Sequence, residues 1–107
     1  MKRYIKVKFQ FEGLHCWKDC PINDVSFLKD SHRHIFYVTC TKEVTHNDRD
    51  IEIIMFKREL QAYMARKGMD LGQSSCEMIA EDILKQFGCH SVEVLEDNEN
   101  GAILENE

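Results

Sequence analysis

Three histidines, His15, His32 and His34, carry the clearest chemistry in this sequence. Side chains alternate between the faces of a strand, so His32 and His34 leave on the same side as Phe36, Val38 and Cys40. His15 joins them by sharing the parity of Phe9 and Phe11 through Gly13. Two imidazoles spaced i, i+2 on one strand, with a third from a neighbour, form a tripod suited to zinc, with a fourth position left open. The same residues also fit a surface His-x-His pair, or core histidines satisfied by backbone carbonyls.

Glu96 shares parity with the apolar Val92 and Val94. A buried carboxylate needs a cation or hydrogen-bond donors, and a ligand edge bearing an N–H pair would supply them. A slip at the strand end would instead leave Glu96 in solvent. Ser75, Cys76 and Glu77 open a helix whose first backbone N–H groups are free to meet a polar ligand edge. Ser74 with Glu77 three residues on also reads as a capping box. Cys16 and Cys20 lie in a long loop beside the tripod, where a thiol of lowered pKa would act as base or nucleophile.

These residues need a scaffold, and hydrophobic periodicity supplies one. Strict alternation predicts a strand over Tyr4–Glu12, then a loop over Gly13–Ser31 holding the one proline, Pro21. A second strand is predicted over His32–Val44, and a third over Ile51–Met55 after the polar turn Thr45–Asp50. The period then becomes helical: one helix from Phe56 to a stop at Gly68, another from Ser74 to a stop at Gly88. A strand over Ser91–Asp97, a hairpin signal at Asn100-Gly101 and a last strand over Ala102–Glu105 complete the chain. The order predicts an α+β fold, with an antiparallel sheet and two helices on one face. Cys40 and Cys89 read as small apolar fillers.

The chain has 107 residues, room for one domain, 1–107. With 14 basic and 19 acidic residues the formal charge is −5, and the basic residues are dispersed, which argues against nucleic acid as the partner. No apolar run is long enough for a membrane span, and five cysteines without a secretory signal predict reduced thiols in the cytoplasm. A core this small predicts a homo-oligomer.

In this order the motifs resemble the 6-pyruvoyltetrahydropterin and 6-carboxytetrahydropterin synthase family. Phe11-Glu12-Gly13-Leu14-His15 is similar to its Phe-x-Ala-Ala-His, and His32-Arg33-His34-Ile35-Phe36 to its His-Gly-His-x-Tyr/Phe. Ser74-Ser75-Cys76-Glu77 is similar to its Pro-Thr-Ser-Glu, and Val92 to Asp97 to its Val-x-Val-x-Glu-Thr. The resemblance spans nearly the whole chain. It implies a tunnelling fold assembled from subunits, commonly as a hexamer. It also implies Zn2+ on His15, His32 and His34, and a pterin or purine edge gripped by Glu96 with the Ser75-Cys76 turn and Glu77. The family's catalytic cysteine is matched by Leu28, and its Leu-Asp-His by Met69-Asp70-Leu71. For carbon–oxygen lyase chemistry on a dihydroneopterin triphosphate-like substrate, the candidates are therefore Cys20 as base, assisted by Asp70 or His46. With those positions altered, the alternative is a catalytically silent module that binds or sequesters a pterin or purine nucleotide.

Overall fold

The computed structural model describes all residues, Met1–Glu107. Strand β1 runs Arg3–His15 and β2 runs His32–Val44, joined by a loop containing a short 3-10 helix, Asn23–Lys29. Helices α1 (Ile53–Lys67) and α2 (Cys76–Phe87) follow, then β3 (Ser91–Glu96) and β4 (Asn100–Glu105). The strands form one antiparallel sheet in the order β1-β2-β3-β4. The fold is α+β, as the periodicity predicts.

One sheet face carries Val7, Phe9, Phe36, Val38, Cys40, Val92 and Val94, all buried, as period-two alternation requires. Both helices lie against it. Phe56, Leu60 and Met64 of α1 and Ile79, Ala80, Ile83 and Leu84 of α2 join these strand residues in a single core cluster. Cys40 and Cys89 are buried fillers within it. Gly13 sits where a side chain has no room: a Cβ there would come within 2.8 Å of Leu71 Cδ1 and 3.0 Å of Phe36 Cε2. Its absence lets the α1–α2 connection close over the histidine end of the sheet.

The predicted third strand is a helix start. Ile53, Ile54 and Met55 form the first turn of α1 and are 49–57% exposed. A short apolar run does not distinguish strand from helix, and here the cap decides. The Glu52 carboxylate accepts from the backbone N–H groups of Ile54 at 2.8 Å and Met55 at 3.1 Å, satisfying donors that a helix leaves open. Glu52→Ala is expected to lower stability by about 0.5–2 kcal/mol, the usual cost of an N-cap. Urea denaturation checks this, and an unchanged midpoint would show that the cap contributes nothing.

Two further boundaries move. The cap of α2 is Ser75, whose hydroxyl accepts from Met78 N–H at 3.1 Å, so Glu77 is not the third residue of a capping box. The last hairpin turns at Asp97 and Asn98, with φ of 53° and 61°, and Asn100-Gly101 already belongs to β4. Aspartate and asparagine tolerate this left-handed conformation better than most residues, so they supply the tight turn.

Candidate metal centre

Strand register assembles the histidines. His15 lies opposite His32 and Gly13 opposite His34 in the β1–β2 ladder, so all three imidazoles share the core-side face at one end of the sheet. Their ring centroids are 4.5, 5.3 and 5.0 Å apart. Phe36 supports them from below, its ring edge-on to His15 at 5.3 Å and to His34 at 5.8 Å.

Each ring is turned the same way by a bond on its outer nitrogen. His15 Nδ1 meets the Ser74 carbonyl at 2.8 Å, His32 Nδ1 the Asp30 carbonyl at 2.8 Å, and His34 Nδ1 the Asp97 carboxylate at 2.7 Å. These partners accept hydrogen bonds, so each Nδ1 must donate, and in a neutral imidazole Nε2 is left with a lone pair. The Nε2 atoms of His15 and His32 are buried without any hydrogen-bond partner. An unsatisfied buried acceptor is costly, and a cation would satisfy several at once. One ligand atom from each of the three residues lies within 4.8 Å of the others, so the group can hold a metal ion. Outward Nδ1 bonds to carbonyl or carboxylate are the usual support of metal-bound histidine.

The supports come from distant segments. Leu14 pairs with the α1–α2 connection, its N–H donating to Met69 at 2.8 Å and its carbonyl accepting from Leu71 at 2.8 Å, which brings Ser74 over His15. Asp97 is held twice more: its Oδ1 accepts from Ile35 N–H at 3.1 Å, and its own N–H donates to the Ile35 carbonyl at 2.7 Å. The bond from His34 and that from Ile35 hold the Asp97 carboxyl below the usual aspartate range.

Glu96, opposite Phe36 in the β2–β3 ladder, is on the histidine face. Its Oε2 lies 3.0 Å from His15 Nε2, outside hydrogen-bond geometry, and its Oε1 lies 3.6 Å from His34 Nε2. A cavity of about 540 Å³ opens beside it, with His15 and His32 in its wall. Ser75, Cys76, Glu77 and Glu96 all line that cavity, as do Trp17 and Leu28. Burial, then the Glu96 charge, pushes the Cys76 thiol up to about 12, so it is neutral near pH 7. Ser75 spends its hydroxyl on the helix cap, and Glu77 is exposed in the first turn.

Cys20 and Asp70 do not line this cavity. The Cys20 thiol is buried and donates toward the carbonyls of Ile22 and Val25, at 3.7 Å each, closing the 3-10 segment. Asp70 accepts from Gly72 N–H at 2.9 Å within its own turn. His46 is at the far end of β2, beside Asp50. Cys16 does line the cavity. Asp97, Trp17 and the Ser74 carbonyl escaped the sequence reading, because only strand register and loop docking bring them to the histidines.

No helix is long and apolar enough to cross a membrane. No protein-family model and no curated protein matches the sequence. Among solved structures, the chain is similar to the uncharacterized protein WS1659 from Wolinella succinogenes, with 16% identity and a TM-score of 0.61 over 100% of this chain and 99% of that one. At this identity the likeness speaks for the fold alone.

Proposed function

We propose that this chain uses His15, His32 and His34 to hold a zinc ion and binds a pterin- or purine-like heterocycle in the cavity beside it. Three imidazoles that each offer one ligand atom within 4.8 Å of the others, with every Nδ1 already bonded elsewhere, carry this reading. The donor set is all nitrogen, which suits zinc. A zinc ion held there supplies a Lewis-acid centre at the cavity wall. Glu96 and the free N–H groups at the start of α2 offer acceptor and donor edges to a flat ring, and Trp17 offers an aromatic surface. The five thiols are free, which suits a cytoplasmic setting. Both sheet edges, β1 and β4, lack strand partners, and their pairing with further copies would build the hexamer that the motif resemblance implies.

Binding without turnover is favoured because Cys20 and Asp70 are bonded away from the cavity. Cys16 is the observation behind a second reading, pterin lyase chemistry, since its half-buried thiol lines the cavity where a proton-moving group would be needed. Calorimetry of zinc-loaded protein with dihydroneopterin, its triphosphate and guanine nucleotides, run beside a product assay, tests both. Binding of one of them is expected, weakened by about 0.5–1.5 kcal/mol in Trp17→Ala, with zinc content unchanged. Turnover that disappears in Cys16→Ala would replace the silent reading with the lyase one. Failure of every ligand to bind would refute the pocket assignment.

A further inference from the structure

We propose that Glu96 is the fourth donor of the metal centre, so that the centre is closed in the ligand-free protein. This rests on the metal reading of His15, His32 and His34. With Nδ1 of His15 donating to Ser74 and Nδ1 of His34 donating to Asp97, each neutral ring keeps a lone pair on an Nε2 that stands beside a Glu96 oxygen, at 3.0 Å for His15 and 3.6 Å for His34. Two electron-rich atoms this close repel unless something positive lies near both. A proton on His15 Nε2 does not bridge the 3.0 Å gap, because the two atoms lie outside hydrogen-bond geometry. A cation off the line between them would attract both.

The spacing agrees. Donors around a tetrahedral zinc at about 2.0–2.1 Å stand about 3.3–3.4 Å from one another. Glu96 straddles two of the rings near that separation, Oε2 at 3.0 Å from His15 Nε2 and the other oxygen, Oε1, at 3.6 Å from His34 Nε2, and the histidine ligand atoms, within 4.8 Å of one another, would draw closer around an ion. The backbone at this point is also well fixed: the Glu96 carbonyl accepts from Glu99 N–H at 2.9 Å, and Asp97 is tied to both His34 and Ile35. The carboxylate would also halve the net charge that a divalent ion brings to the cavity wall. A ligand that engages the metal from the cavity must then displace Glu96. The matching ligand offers the metal an oxygen or nitrogen donor and offers the released carboxylate an N–H group.

Cobalt(II)-loaded full-length protein gives a direct test, with affinity from chelator competition and coordination from visible absorption during azide titration. Glu96→Gln is expected to lose on the order of tenfold to a hundredfold in Co(II) affinity, at least what an outer-shell partner is worth. Azide should perturb the variant's spectrum at lower concentration than it perturbs the wild type. Glu99→Gln removes the same charge from the same turn and is expected to keep wild-type affinity. Equal affinities and equal azide responses in wild type and Glu96→Gln would overturn the proposal, as would an equal loss in Glu99→Gln. Wild type that binds neither cobalt nor zinc would instead remove the histidine reading beneath it, a distinguishable failure.

Discussion

Zinc-supplemented wild-type protein is expected to retain roughly one ion per chain, and His32→Ala and His34→Ala are expected to lose it. Each substitution removes a donor and also the ring whose Nδ1 is already committed, to the Asp30 carbonyl and the Asp97 carboxylate respectively. The loss in affinity should exceed the roughly tenfold to hundredfold that follows removal of an outer-shell support. Elemental analysis and chelator competition measure it. Acid should have the same effect in the wild type, because metal-binding imidazoles must be neutral and protons compete for the same lone pairs. Metal-free wild type, or a His32→Ala variant that holds zinc as the wild type does, would refute the centre.

Phe36→Ala is expected to be the most destabilising single truncation near the site, at about 3–5 kcal/mol. Phe36 is fully buried and stacks on Phe11 at a ring separation of 5.2 Å. It also stands under His15 and His34, so the cavity left behind would loosen the rings as well as the core. The variant should therefore bind zinc more weakly even where it remains folded. Urea unfolding gives the stability and chelator competition the affinity. A loss below about 1.5 kcal/mol would mean that neighbouring side chains collapse into the space and that Phe36 is not the floor of the site.

The two effects are coupled through strand pairing. The ladder that buries Phe36 between Phe11 and Glu96 also sets His34 opposite Gly13 and His32 opposite His15. A one-residue slip in either pairing would move a donor to the other sheet face, so the fold and the site stand or fall together at this end of the molecule.

The sequence by itself determined whatever depends on local period. Alternation placed β1 and β2, and carrying the parity of Phe9 and Phe11 through Gly13 correctly put His15 on the inner face, where it is 8% exposed. The same parity put Glu96 among the core-side residues of β3, and helical spacing marked the buried stripes of α1 and α2. These follow from side-chain direction along a regular backbone, which needs no knowledge of neighbours. Where two local signals competed, local period misled: it predicts a strand over Ile51–Met55, whereas the Glu52 carboxylate reaches two helix N–H groups and makes Ile53–Met55 the first turn of α1. Only the tertiary structure decided which groups support the histidines. Asp97 lies 63 residues from His34 along the chain and Ser74 lies 59 from His15, and both arrive through sheet register and the docking of the α1–α2 connection. Tertiary packing likewise put Cys16 in the cavity wall while turning Cys20 into the carbonyls of its own loop. A thiol's role depends on what its loop packs against, and no period in the sequence encodes that contact.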